Sequence, residues 1–173
     1  MNKRFVLQIL FAVILASCMT SNAKTWISDD AGVSFQIPDD SAWSQATPPN
    51  PQVKLLLERA GKSAEIFFAV ITAPPNQQVL NQDFITGFEK GYWPQGKSVK
   101  RTGEFSNFKG KKVYKTSGEM FIKDVVFKKA LIVWIENGKV FMISMMKKGA
   151  DPYEDADIKK FLELTKFNSK SVK

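Results

Sequence analysis

Apolar and polar residues alternate with the two-residue period of a β-strand at several places along the chain. At residues 33–37, Val33, Phe35 and Ile37 point one way and Ser34 and Gln36 the other. Residues 25–28 precede them across the turn Asp29-Asp30-Ala31-Gly32, so a first pair of strands is predicted here. Pro38-Asp39-Asp40 ends the second strand, Trp43 is expected to fold back onto the core, and residues 47–51, with Pro48, Pro49 and Pro51, read as a loop.

Residues 53–59 and 64–72 predict a hairpin around Ala60-Gly61-Lys62. In the second arm Ile66, Phe68 and Val70 face one side and Phe67, Ala69 and Ile71 the other. A strand apolar on both faces belongs in the middle of a sheet that is covered above and below. Pro74-Pro75 breaks the pattern, and from Asn81 to Tyr92 the spacing becomes helical, with Phe84, Ile85, Phe88 and Tyr92 on one stripe that Pro94-Gln95-Gly96 closes. Four strands follow at residues 97–105, 111–121, 125–136 and 139–146. The first two are joined by Asn107-Phe108-Lys109-Gly110, and the last two by Asn137-Gly138, whose tolerance of positive φ suits a type I′ turn. Residues 130–135 and 140–146 are again apolar on nearly every position, and Phe141, Met142, Met145 and Met146 read as core filling.

A last helix starts with Asp151 as N-cap and Pro152 at the first helical position. Glu154, Asp155 and Asp157 fall in its first turns, where the helix dipole favours negative charge. Tyr153, Ile158, Phe161, Leu162 and Thr165 form its inward stripe, and residues 168–173 make a loose tail. A sheet greasy on both sides needs cover on both, so the expected fold class is α+β. The sheet is mainly antiparallel, with helices over each face in a three-layer α/β/α sandwich, and one domain spans residues 24–167.

That element order carries a resemblance. Gly32-Val33-Ser34-Phe35-Gln36-Ile37-Pro38 with Trp43 soon after, the paired strands around Asn137-Gly138, and a closing helix running into Phe161 and Phe167 resemble the PsbP-like family of small bacterial envelope proteins and lipoproteins. The resemblance implies that fold over nearly the whole mature chain and a habit of binding partners. It transfers no catalytic residue.

The first 23 residues change the address. Lys3 and Arg4 precede an apolar run from Phe5 to Ala16, interrupted by Gln8, which is the layout of a secretory signal peptide. The run is shorter than the roughly 20 residues a helix needs to cross a bilayer. Two cleavage sites compete. Leu15-Ala16-Ser17-Cys18 resembles a lipobox, and Cys18, the chain's one cysteine, stands where acylation requires it; Ser21-Asn22-Ala23 offers an ordinary small-x-small site instead. The first predicts a lipoprotein in the periplasm, tethered to the outer membrane by its acyl chains. The second predicts a soluble periplasmic protein.

Composition then removes chemistry. The chain has no histidine, so Ser-His-Asp and Cys-His nucleophile systems are impossible, and with no cysteine after Cys18 neither disulfides nor Cys/His zinc sites are available. Asp29-Asp30, Asp39-Asp40 and the group Asp151, Asp155, Asp157 lack calcium-loop spacing and are explained by turns and helix capping. No glycine-rich phosphate loop is present. The expectation is a protein without enzyme activity, metal or cofactor; a hydrolase using carboxylates or a Ser-Lys pair is the weakest alternative.

Charge points to partners. The net charge of +8 is uneven, because residues 97–129 hold ten basic and three acidic residues while residues 24–65 hold four and six. Either this stretch attracts an anionic partner, or its lysines simply occupy wet strand faces and edges. The candidate partner surface comprises Tyr92, Trp93, Lys97, Lys100, Arg101, Lys111 and Lys115, although neighbours such as Lys111 and Lys112 must point to opposite faces of a strand. Nucleic acid is not expected, given the compartment and the lack of an RNA-reading aromatic pattern. The functional expectation is an exported, non-enzymatic envelope module that binds or assembles a protein partner. The alternative is a small-ligand or anionic-lipid binder with a pocket between sheet and helix.

Overall fold

The computed structural model describes residues 24–29, 31–37, 42–93, 101–122 and 125–167. In chain order its elements are β1 (Thr25–Ser28), β2 (Val33–Gln36), β3 (Trp43–Gln45), β4 (Val53–Arg59), β5 (Ala64–Thr72), helix α1 (Gln82–Tyr92), β6 (Arg101–Phe108), β7 (Lys111–Ile122), β8 (Val125–Glu136), β9 (Lys139–Lys148), helix α2 (Ala156–Leu164) and β10 (Lys166–Phe167). The signal segment with Cys18, Lys97, Lys100 and the tail after Phe167 lie outside the described residues.

Seven strands form an antiparallel sheet in the order β3-β4-β5-β9-β8-β7-β6, and β1, β2 and β10 form a second one. The three expected hairpins of the large sheet are present: β4 with β5, β6 with β7, and β8 with β9. Asn137 (φ 50°) and Gly138 (φ 72°) close the last of these as a type I′ turn demands. At the β6–β7 turn the sequence expectation is corrected. Lys109 (φ 54°) and Gly110 (φ 84°) alone make the turn, so Asn107 and Phe108 extend the strand, and the Asn107 side chain accepts the Gly110 N–H at 2.9 Å.

The doubly apolar strands lie where they should, at the centre, and each face of the sheet has its own core. On one face Phe68, Ile66, Trp134, Ile132, Phe141 and Ile143 pack with Leu55, Leu57, Ile158, Phe161 and the β2 residues Val33 and Phe35. Phe68 stacks on Trp134, 6.2 Å between ring centroids, and on Phe141 at 6.4 Å. On the other face Ala69, Leu131, Val133, Val140 and Met142 pack with Phe84 and Ile85 of α1 and with Trp93. The cover is therefore not purely helical. α1 lies on one face, while α2 shares the other with the three-stranded sheet, because Val33 and Phe35 of β2 enter the same core as Phe161.

Helix starts follow local chemistry. Asn81 caps α1 by accepting the Phe84 N–H at 2.9 Å. Asp151 caps only a single 3-10 turn, Pro152–Glu154, accepting from the Tyr153 N–H. The N-cap of α2 is Asp155, whose extended backbone (φ −79°, ψ 126°) separates the turn from the helix and whose carboxylate accepts the Asp157 and Ile158 N–H groups. No helix among the described residues is long and apolar enough to cross a membrane.

Candidate partner-binding surface

The two ends of the sheet differ. β3, at one edge, has three residues, and its Trp43 is tied down: the indole N–H donates to Asp157 at 3.1 Å and the ring lies 4.7 Å beneath the Arg59 guanidinium. β6, at the other edge, runs for eight residues in unbroken register with β7, and six of its eight residues are exposed. No strand among the described residues lies beyond it.

On the α1 face of this end, the Tyr114 ring crosses Gly103 of the neighbouring strand. A Cβ at Gly103 would sit 1.8 Å from the Tyr114 Oη, so only glycine admits the ring. The Tyr114 hydroxyl donates to Glu89 of α1 at 3.1 Å, and burial first, then Glu89, pushes its pKa up to about 12. Phe105 stands edge-on against Tyr114 at 5.3 Å and stays 40% exposed, with the Lys112 ammonium 5.4 Å from its ring.

On the α2 face a cleft of about 240 Å³ is lined by Thr102, Glu104, Lys115, Ser117 and Tyr153. An adjoining hollow of about 130 Å³ adds Glu119, Lys128 and Asp151. The Thr102 and Ser117 hydroxyls share a hydrogen bond of 2.9 Å between them. Both signs of charge and several hydroxyls line this open groove.

A third cluster lies at the end of α1. The Lys129 ammonium sits 4.0 Å from the centre of the Tyr92 ring, and the Tyr92 hydroxyl is 2.9 Å from Ser144 Oγ. Burial lowers the Lys129 pKa to about 8 against the opposing pull of Glu65, and burial also raises the Glu65 carboxyl and the Tyr92 phenol. Ser144 is buried and held by a phenol. Trp93 is buried beside this cluster, and its indole N–H, like the Thr116 hydroxyl, finds no hydrogen-bond partner among the described residues.

Strand alternation distributes the residues singled out by sequence. Tyr92, Trp93 and Arg101 belong to the α1 side, Arg101 lying opposite Gly118 in the row that continues to Lys129. Lys111 and Lys115 belong to the other side. Lys111 bonds both Glu136 oxygens, at 2.8 and 2.7 Å, and lies 5.2 Å from the Phe167 ring, whereas Lys115 lines the groove. They do not form one patch. Sequence reasoning missed Phe105 and the Gly103–Tyr114 contact; the signal for them was an eight-residue strand without proline or lysine inside it. Among the described residues no three carboxylates gather as a metal site requires.

No family model matches the chain, and no curated protein matches its sequence. Solved structures do match its shape. Cyanobacterial PsbP (CyanoP) from Synechocystis sp. PCC 6803 superposes with a TM-score of 0.58 at 11% identity, covering 87% of this chain and 95% of that one. A protein of Bacteroides thetaiotaomicron VPI-5482 gives 0.58 at 11% identity over 86% of this chain, which spans about half (49%) of that protein. LpqN of Mycobacterium tuberculosis, described as involved in cell envelope biogenesis, gives 0.48 at 12% identity, covering 83% and 90%. The shared feature is the fold: a mainly antiparallel sheet with two helices in the PsbP-like arrangement.

Proposed function

We propose that this chain is an exported, non-enzymatic protein of the bacterial envelope that holds a partner protein at the β6 end of its sheet. The observation that carries the reading is the contrast between the two sheet edges. One is short and fastened by Trp43 and Arg59, while the other is long, exposed and centred on the half-exposed ring of Phe105. The signal segment with its lipobox supplies the address, and acylation of Cys18 tethers the domain to the outer membrane. The PsbP-like fold supports the reading as a scaffold with room for surface contacts.

The test is photo-crosslinking in the host from a reactive residue placed at Phe105, with Val79, an exposed residue on the loop before α1, as control. A discrete adduct from Phe105 and none from Val79 is expected; equal, diffuse labelling from both defeats the reading. The mass of the mature N-terminus checks the address, acylated Cys18 being the expected outcome and a free Lys24 the contrary one. A second reading, binding of a small polar ligand, is favoured by the groove around Thr102, Ser117 and Tyr153, and a co-purifying small molecule in native mass spectrometry is its sign.

A further inference from the structure

We infer that the outer edge of β6 is a strand-addition site, which takes an acidic, extended segment of another protein as an eighth strand of the sheet. This deepens the partner-binding reading and rests on it.

The turn geometry decides which backbone groups are on offer. With Lys109 and Gly110 both at positive φ, the β6–β7 hairpin has a two-residue loop, so Phe108 and Lys111, directly opposite each other, form the hydrogen-bonded pair that closes it. Along an antiparallel strand such pairs alternate with pairs that do not exchange bonds. Phe108, Ser106, Glu104 and Thr102 therefore bond inward to β7, and Asn107, Phe105, Gly103 and Arg101 turn their N–H and C=O groups outward. Four consecutive outward sets over eight residues, a span of about 27 Å, are a template for a further strand.

Proteins normally guard such an edge by shortening it, bulging it, or placing proline or lysine on it. β3 is guarded by its shortness, and β4 carries a register shift between Val53 and Leu55. β6 has none of these devices within the strand: its ladder is continuous, and neither proline nor lysine interrupts residues 101–108. The ring of Phe105 stands at its midpoint, exposed beside Tyr114, as an apolar contact for the residue opposite it on an added strand.

Charge selects the occupant. Arg101 and Lys112 on the α1 side, and Lys115 on the other, have no carboxylate partner among the described residues, against the single acid Glu104 within the strand. An acidic segment meets these cations on both faces. A second copy docked edge to edge would bring a second set of the same cations to this end of the sheet, like charge beside like charge.

Binding of three synthetic peptides of about ten residues to the folded protein tests this: a Glu/Val peptide with glutamates on both faces of its extended form and a valine at its centre, its counterpart with lysine in place of glutamate, and the Glu/Val peptide N-methylated on alternate residues to block one edge. The Glu/Val peptide is expected to bind at least about tenfold tighter than either other, a difference of about 1.4 kcal/mol. Phe105→Pro is expected to cut that binding by a similar factor while leaving the β7 ladder in place, because the N–H it removes points outward. The N-methylated peptide on the unmodified protein keeps the test decisive if Phe105→Pro does not fold. Equal binding of the N-methylated peptide overturns strand addition, and a dimer in sedimentation that Phe105→Pro dissolves overturns the acidic partner, because it makes a second copy the occupant. If no peptide binds although Phe105 crosslinks a partner, strand addition falls and partner binding stands. If the crosslink also fails, the underlying reading falls.

Discussion

Arg59 and Asp155 meet end-on: Nη1 lies 2.8 Å from Oδ2 and Nη2 2.8 Å from Oδ1, so the guanidinium grips both oxygens of a carboxylate that is only 4% exposed. The same carboxylate takes Lys147 of β9 and the first N–H groups of α2, while Arg59 also bonds Asp157. One acid thus fastens β4, β9 and the start of α2 together.

Removing that charge leaves Lys147 without its carboxylate and Arg59 with Asp157 alone, in a partly buried site, while the amide oxygen of an asparagine still caps the helix. Asp155→Asn is expected to lower unfolding free energy by about 3–5 kcal/mol, the usual cost of breaking a buried ion pair from one side. Asp157→Asn, at a more exposed position, should cost clearly less. Urea denaturation midpoints of the two variants check this; equal effects would show that the burial of Asp155 is not what matters.

The same residue sets an acid limit. Burial alone would raise the Asp155 pKa, but hydrogen bonds from Arg59, Lys147 and the Ile158 N–H overcome it and hold the carboxyl well below its ordinary 3.8. Its contribution is therefore complete above about pH 4 and lost as pH falls through the range below 3.8. The stability gap between the wild type and Asp155→Asn should narrow on acidification over that range. A gap that stays constant counts against the assignment.

Lys129 shifts stability in the same direction, in the alkaline range. Its pKa falls from 10.5 to about 8 on folding, so between those values the unfolded chain holds a proton that the folded one has released, and stability from this residue rises with pH. The Tyr92 phenol, raised above its ordinary 10 by burial, acts the other way above that pH, which leaves about pH 8 to 10 as the clean window. Over it, the wild type should gain stability relative to Lys129→Met; parallel pH curves would refute the depressed amine.

Gly103 and Tyr114 should be coupled. Gly103→Ala drives a methyl into the Tyr114 ring and is expected to cost about 1–3 kcal/mol, as overpacking does. In a Tyr114→Leu background the same change should cost much less. A double-mutant cycle from thermal melts measures the difference, and simple additivity would mean that the ring does not rest on Gly103.

Elements governed by neighbours in the chain were legible from sequence, and those governed by distant ones were not. The β4–β5 hairpin, the Asn137-Gly138 turn and the start of α1 near Asn81 depend on adjacent residues and their local preferences, and each stands where the pattern placed it. β3 and β10 exist because Trp43 pairs with Arg59 and Phe167 with Val33, partners that no local period reveals. Asp155 was read as one of several acids favoured by a helix dipole, and its cap and its grip on Arg59 emerge only when β4 and α2 meet. The basic stretch was legible as charge but not as geometry, since a strand deals successive lysines to opposite sides.

The order β5-β9-β8 at the sheet's centre has a consequence for assembly. β6 to β9 form a meander of sequential neighbours, whereas β5 must wait for β9, from which α1 and three strands separate it along the chain. Loop closure of that size makes late docking of the β4–β5 hairpin the slow event. A chain emerging amino end first therefore carries an incomplete sheet until Lys148 has followed, and until then the wide apolar flanks of β5 are the part most exposed to wrong pairing.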